Sequence, residues 1–143
     1  GLTVTRDRLQ GYKNALESHG MPYDPRLLAF AEFTERSAAS AMTELLSLTP
    51  PPDAVVGMDD LIALAAMREA KRHGVRIPDD LAFIGFNDSP LCRYVEPSLT
   101  SIAVDIPTLA HKATEMLIAL IEGHAPNPKR QIVPARLVKR ESA

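Results

Sequence analysis

Apolar residues recur at intervals of three and four along much of the chain, which is the spacing of a helix with one buried face. Four stretches show this pattern, and we predict helices over residues 8–19, 35–48, 60–73 and 107–121. The last is the clearest, because Pro107 lies in its first turn and Gly123 just after its end. We expect Thr34 to cap the second helix and Asp60 the third, since both side chains accept hydrogen bonds from first-turn amides.

Short apolar runs lie between the predicted helices and have the length of β-strands. We predict strands over residues 27–33, 54–58, 81–86, 99–104 and 131–138. The runs at 54–58 and 81–86 are unbroken, as expected of parallel strands that are buried on both faces. Because helices alternate with strands, the predicted fold class is α/β, with a parallel sheet flanked by helices.

Two pairs of polar residues follow two of the predicted strands. Asp59-Asp60 comes after the run at 54–58, and Asn87-Asp88 comes after the run at 81–86. In parallel sheets of this kind, ligands bind at the carboxyl ends of the strands. Each pair has two interpretations, because Asp and Asn also cap helices and form turns. With Asp60 as the cap, Asp59 stays free to face a crevice into which both strand ends open.

Composition and charge narrow the classes of protein to which the chain can belong. Its 143 residues are 45% hydrophobic with a net charge of −2, which argues against intrinsic disorder. No apolar run approaches the roughly 18 residues of a transmembrane helix, and no signal peptide is recognisable.

The one cysteine, Cys92, excludes a disulfide framework. With 16 basic and 18 acidic residues, an electrostatic nucleic-acid binder is not expected. The start at Gly1 suggests a processed product or part of a longer chain.

The usual signatures of enzymes are absent from the sequence. The seven glycines form neither a phosphate-binding loop nor a nucleophile elbow. Cys92 has no evident histidine partner, and His111 with Glu115 is interpreted as an exposed helix pair because no third metal ligand is in evidence. A small hydrolase or phosphatase that uses Asp59 and Asn87 is the enzyme alternative.

Six short pieces of sequence occur in an order and spacing that are specific together, although each is weak alone. They are Arg8-Leu9-Gln10-Gly11-Tyr12, Ala54-Val55-Val56 with Asp59-Asp60, Ile77-Pro78-Asp79-Asp80, Ile84-Gly85-Phe86-Asn87-Asp88, Pro97-Ser98-Leu99-Thr100-Ser101-Ile102, and Leu137-Val138-Lys139-Arg140. With these pieces the chain resembles the effector-binding domain of LacI/GalR-type transcriptional regulators. The fold of that domain is that of type I periplasmic sugar-binding proteins, and the resemblance runs over essentially the whole chain.

The resemblance also implies a division of the chain between two subdomains. Residues 1–101 would form most of the C-terminal subdomain. Residues 102–131 would form a crossover and a helix that belongs to the N-terminal subdomain, and 132–143 a return crossover, the final strand and a tail. We expect the apolar stripe of the helix at 107–121 to lack its usual neighbour, because the rest of that subdomain is not in this chain. The stripe should then pack on a second copy of the chain or on its own subdomain, or the helix should be disordered.

By resemblance, the function is that of the effector-sensing part of a repressor. Such regulators bind a small molecule, usually a sugar, a sugar derivative or a purine, between two subdomains. They are cytoplasmic homodimers without a cofactor, a metal or a membrane attachment. Operator DNA would be bound only through an N-terminal helix-turn-helix domain that is missing from this chain. The alternative of the same fold is a periplasmic sugar-binding protein of an uptake system.

The resemblance assigns roles to eight residues. The residues that match effector-contacting positions are Arg8, Phe33, Asp59 and Asn87. The family often has Asp where this chain has Asn87, and Asn offers a donor as well as an acceptor. The residues that match positions in the interface between subunits are Leu64, Tyr94, Pro97 and Leu99.

Overall fold

The structure is a computed structural model that describes residues 3–125 and 128–143. The described residues form four helices, which are α1 (Thr3–Ser18), α2 (Glu35–Leu46), α3 (Asp60–Arg72) and α4 (Ile106–Ile121). They form four strands, which are β1 (Ala54–Val56), β2 (Ala82–Asn87), β3 (Thr100–Val104) and β4 (Ala135–Val138). Short 3₁₀ turns lie at Pro25–Leu27 and Pro90–Arg93. All four predicted helices are confirmed, and so are four of the five predicted strands, with shifted ends.

The four strands form one sheet in the order β1-β2-β3-β4. β1 pairs with β2, and β2 with β3, in parallel, whereas β4 runs antiparallel to β3. The fold is therefore α/β as predicted, with a mostly parallel sheet and one antiparallel edge strand. Because β1 and β2 are parallel neighbours, their carboxyl ends lie side by side. This arrangement brings the residues after both strands to the same end of the sheet.

The predicted strand over residues 27–33 is wrong. The segment before it turns because the Asp24 side chain accepts a hydrogen bond from the Arg26 amide at 2.9 Å, and Pro25 occupies the first position of a 3₁₀ turn. In the described residues between this turn and α2, no strand forms. An apolar run becomes a strand only where a neighbouring strand offers a hydrogen-bonding ladder, and this run has none.

β1 and β4 also differ from their predictions. β1 forms one edge of the described sheet, and Ala54 and Val56 are exposed, so the expected burial on both faces is wrong for this strand. β4 begins at Ala135 rather than at residue 131. The preceding residue, Pro134, has no amide hydrogen to donate to the sheet, which accounts for the later start.

The core lies between the sheet and the pair of helices α2 and α3. Its largest fully buried apolar side chains are Phe83, Met42, Leu81 and Leu99. The N-terminus of α2 is capped as predicted, because the Thr34 hydroxyl accepts a hydrogen bond from the Ser37 amide at 3.2 Å. These contacts give β2 and the start of α3 a rigid base, and the site described below lies directly after both.

Helix α4 stands apart from this core. The Asp105 side chain caps it by accepting a hydrogen bond from the Thr108 amide at 3.0 Å, and Pro107 lies in its first turn as predicted. The helix is ordered, and because none of its residues is buried, the expected packing of its apolar stripe on its own subdomain is not seen among the described residues. Its exposed apolar residues are Ile106, Leu109, Leu117, Ile118, Leu120 and Ile121. Across the described part of the chain, no helix has the length and apolar character needed to cross a membrane.

Candidate functional site

Arg8 extends from α1 to the end of β1 and the end of β2. Its Nη1 atom donates a hydrogen bond to the main-chain oxygen of Met58 at 2.6 Å. Its guanidinium carbon lies 3.6 Å from the centroid of the Phe86 ring, which is close enough for a cation–π contact. Burial lowers the pKa of Arg8, and the charge of Asp59 acts in the opposite direction. A guanidinium stays protonated at any physiological pH, so Arg8 is a fixed cation with donors to spare.

Asp59, and not Asp60, caps α3. The Asp59 backbone is extended, with φ −156° and ψ 155°, and its Oδ1 accepts a hydrogen bond from the Leu61 amide at 2.8 Å. The prediction that Asp60 is the cap is therefore wrong. An N-cap must lie outside the helix with an extended backbone, and Asp60 is already the first helical residue.

Asn87 completes a group of three polar side chains with Arg8 and Asp59. It ends β2, and its Nδ2 donates a hydrogen bond to Oδ2 of Asp59 at 2.9 Å. Its φ of 102° lies in the left-handed region, where Asn is among the non-glycine residues found most often. The structure thus places Arg8, Asp59 and Asn87 at one end of the sheet. The sequence predicts that Asp59 and Asn87 meet there, and the resemblance adds Arg8.

Asp60 lies beneath this group and is sealed from solvent. Only 1% of its surface is exposed. Its Oδ1 accepts a hydrogen bond from the Ser101 hydroxyl at 2.6 Å, and its Oδ2 accepts one from the Ser89 amide at 2.6 Å. Sequence reasoning missed this role, because the pattern of Asp59-Asp60 does not show which of the two carboxylates turns inward.

The aromatic residue of the group is Phe86 rather than Phe33. Phe33 is 77% exposed, and no ring or cation contact described for it links it to Arg8, Asp59 or Asn87. Phe86 is half-buried under the Arg8 guanidinium. Its position directly before Asn87, at the end of a strand, is the signal by which the sequence could have shown it. The effector role of Phe33 stays a prediction.

The four residues predicted at a subunit interface differ in exposure. Tyr94 is 83% exposed, and Leu64 and Pro97 are half-buried. Leu99 is fully buried among the core residues of this chain. Its side chain therefore has no surface to offer a second copy, and the expected direct contact through Leu99 is not supported.

A concave surface of about 310 Å³ lies beside the polar group. Its lining residues are Asp59, Asp60, Leu61, Asn87, Ser89, Pro90 and Leu91. A concavity of about 370 Å³ lies between α2 and α3, but its lining contains none of the predicted site residues. The smaller concavity is the better candidate for a ligand site. Its lining contains both predicted hydrogen-bond acceptors, Asp59 and Asn87, beside apolar residues.

The arrangement gives the hydrolase alternative no support. Both oxygens of Asp59 already accept hydrogen bonds, and Asp60 is buried. The Cys92 thiol is also buried, and this burial is the main cause that raises its pKa, so it is protonated and unreactive at neutral pH. Within residues 3–125 and 128–143, no three His, Cys, Asp or Glu side chains come together in a way that could hold a metal ion.

Comparison with known proteins gives a consistent result. A family model described as a periplasmic binding protein-like domain matches residues 1–143. The HTH-type transcriptional regulator CelR of Thermobifida fusca is 38% identical over 136 residues, which are 95% of this chain and 40% of CelR. The HTH-type transcriptional repressor CytR of Escherichia coli K12 is 36% identical over 135 residues, 94% of this chain and 40% of CytR. The chain thus spans about 40% of the length of these relatives.

Solved structures with the same fold include regulators of this kind. A complex of the transcriptional regulator CelR with cellobiose matches with a TM-score of 0.89 at 38% identity, over 95% of this chain and 42% of that one. The Escherichia coli transcriptional repressor ascG matches with a TM-score of 0.87 at 28% identity, over 99% of this chain and 51% of that one. These relatives are transcriptional regulators and not enzymes.

Proposed function

Because the chain belongs to the periplasmic binding protein-like domain family, and within it to the LacI/GalR-type regulators, we propose that it senses a small effector for a transcriptional repressor. The effector is a sugar, a sugar derivative or a purine. The observation that carries the proposal is the convergence of Arg8, Asp59 and Asn87, from three separate elements, at one end of the sheet. The solved complex of the relative CelR with cellobiose supports a sugar as the first candidate.

The chemistry of this polar group suits a ligand rich in hydroxyl groups. Arg8 carries a planar fork of donors, only one of which the described hydrogen bonds use. The oxygens of Asp59 each have a further lone pair, and the Asn87 amide oxygen is an acceptor. The charges of Arg8 and Asp59 cancel, so the group favours neutral ligands over strongly anionic ones. Apolar wall residues such as Leu91 are available to the apolar face of a sugar.

The test of this proposal uses the full-length protein and a thermal-shift screen. The compounds are cellobiose, simple hexoses and pentoses, ribonucleosides and free purines. We expect at least one to raise the melting temperature, since a ligand at 100 times its Kd stabilises the folded state by about 2.7 kcal/mol. The same compound should change the affinity for operator DNA in a mobility-shift assay. We expect the 143-residue chain alone to bind it less tightly, because it spans only about 40% of the length of the relatives that it matches.

Two outcomes would contradict the proposal. If no compound of these classes shifts the melting temperature, or if a bound compound leaves DNA binding unchanged, the chain is not an effector sensor of this kind. Consumption of the compound during the assay would instead indicate an enzyme. Full-length protein recovered from outside the cytoplasm would favour the sugar-uptake alternative over a cytoplasmic regulator.

We further propose that the regulator is a homodimer and that Tyr94 is an anchor of its interface, with Leu64 and Pro97 beside it. Tyr94 is a large aromatic side chain that is almost fully exposed and has one hydroxyl to satisfy, which is typical of residues that dominate interfaces. Operator DNA would then be bound by a helix-turn-helix domain outside this chain, in a symmetric pair.

Tyr94→Asp in the full-length protein should weaken dimerisation by about 30-fold, which corresponds to the roughly 2 kcal/mol lost at an interface hot spot. Sedimentation velocity over a range of concentrations measures this change. Phe30→Asp is the matched control, because Phe30 is an equally exposed aromatic residue outside the proposed interface. A dimer that dissociates equally in both variants, or in neither, would exclude Tyr94 as an anchor.

A further inference from the structure

The loop that follows Asn87 is held by buried polar contacts from other parts of the chain. The Asp88 amide donates a hydrogen bond to the Ser101 hydroxyl at 3.0 Å, and the Ser89 amide donates one to Asp60 at 2.6 Å. Ser101 in turn donates to Asp60 at 2.6 Å. The main chain on the far side of Asn87 is therefore tied to α3 and to β3 at the same time.

Arg140 holds the same loop from a third direction. It lies in the segment after β4, and its Nη2 donates to Oδ1 of Asp88 at 2.6 Å, in an ion pair whose side chains are only 11% and 10% exposed. Its Nη1 donates to the main-chain oxygen of Leu99 at 2.7 Å, and its amide donates to the Thr100 hydroxyl at 2.8 Å. One guanidinium thus connects the loop, the entry to β3 and the segment after β4.

The conformation of the loop explains why so many anchors converge on it. Asn87 and Asp88 have φ values of 102° and 54°, so two consecutive residues other than glycine adopt the left-handed region. Such backbone is costly for residues with a Cβ and persists only where its surroundings hold it. If Asp88 were released, its backbone could return to an ordinary conformation. The Asn87 side chain would then turn away from Asp59.

We propose that Arg140 is a positioning residue of the effector site, which acts through Asp88 to hold Asn87 in place. Its role for the ligand rests on the proposed function, but its role in holding the loop does not. The proposal makes the segment after β4 a functional part of the site, although none of its residues lines the concave surface. A change in the position of β4 would accordingly move Arg140 and alter the position of the Asn87 side chain.

Hydrogen exchange measured by mass spectrometry on the full-length protein, without ligand, tests the positioning role. Arg140→Met removes the charge and the fork of donors but keeps a long side chain. We expect exchange in a peptide that covers residues 86–91 to become at least tenfold faster, while peptides from α2 change little. Arg140→Lys, which keeps the charge, should restore part of the protection. If Arg140→Met does not fold, Asp88→Asn replaces it in the same comparison.

Ser142→Ala is the matched control for loss of stability. Ser142 lies in the same segment and is fully buried, with hydrogen bonds to the Phe83 oxygen and from the Thr100 amide, and none of its described hydrogen bonds reaches the loop. Its replacement should speed hydrogen exchange in β2 and β3 near these residues. Exchange in residues 86–91 should rise no more than in the rest of the sheet. If Arg140→Met and Ser142→Ala speed exchange of the loop equally, Arg140 is only structural and the proposal is wrong.

Titration with cellobiose gives the second measurement. We expect Arg140→Met to lower the affinity of the folded protein about tenfold, and Ser142→Ala to leave it unchanged. Equal affinities for the wild type and Arg140→Met would overturn the positioning role in ligand binding. If the wild type itself does not bind cellobiose, that ligand is excluded, whereas the exchange measurement still decides whether Arg140 holds the loop.

Discussion

Replacement of Arg8 by alanine is expected to weaken binding of the proposed effector about 100-fold or more and to abolish the response of the proposed repressor to it. Two charge-assisted hydrogen bonds to ligand hydroxyls, at roughly 1.5–3 kcal/mol each, account for a loss of this size. Loss of the guanidinium also leaves the Met58 oxygen and the face of Phe86 without their partner. Isothermal titration of the full-length protein with the effector found in the screen measures the effect.

Two further variants separate the causes of that loss. Arg6 lies on the same helix, and Arg6→Ala removes a side chain of the same kind. Arg6 is exposed, and among the described residues its ion pair is with its neighbour Asp7, so affinity for the effector should not change. Arg8→Lys keeps the charge and loses the planar fork, and we expect an intermediate loss of about tenfold. Affinity for operator DNA without effector should be the same in all three variants. An Arg8→Ala protein that responds normally to effector would remove Arg8 from the site.

The sequence predicts the position of this site better than its details. Alternation of helices and strands implies parallel neighbours, and the carboxyl ends of parallel neighbours must meet, so the sequence alone places Asp59 and Asn87 together. The resemblance adds Arg8, whose reach from α1 to Met58 and Phe86 no local pattern reveals. The family and the fold are confirmed by the comparisons, while the roles of individual residues remain proposals.

The predictions that failed depend on contacts between distant parts of the chain. Residues 27–33 are apolar but have no partner strand, which only the tertiary arrangement determines. Asp59 and Asp60 are neighbours in the sequence. Which of them caps α3 and which is buried depends on Ser89 and Ser101, which donate hydrogen bonds to Asp60 and follow much later in the chain. Leu99 is apolar in a segment expected at an interface, yet it points into the core. Local chemistry suggests these roles without distinguishing between them.

Gly85→Ala is expected to cost about 3 kcal/mol or more of folding free energy, although it adds a single methyl group. Gly85 is buried in β2, opposite Ser101 in the register with β3. A Cβ at this position would overlap Oδ1 of Asp60 and lie 2.9 Å from Cδ2 of Leu99. Overpacking of a rigid core typically costs about 1–3 kcal/mol, and displacement of a buried carboxylate from its hydrogen-bond donors adds to that cost. The urea midpoint of the full-length protein measures the change.

Gly11→Ala is the matched control, because a Cβ on Gly11 meets no atom within 4 Å and the residue lies inside α1. We expect this variant to be about 0.5–1 kcal/mol more stable than the wild type, since alanine favours a helix over glycine. The two substitutions should therefore shift the urea midpoint in opposite directions.

Because Asp60 holds both Ser89 and Ser101, the methyl group at residue 85 should also free the loop after Asn87 and weaken effector binding in the protein that still folds. Equal midpoints for the two variants would show that Asp60 can move away at little cost, and that its hydrogen bonds are not what holds the site in shape.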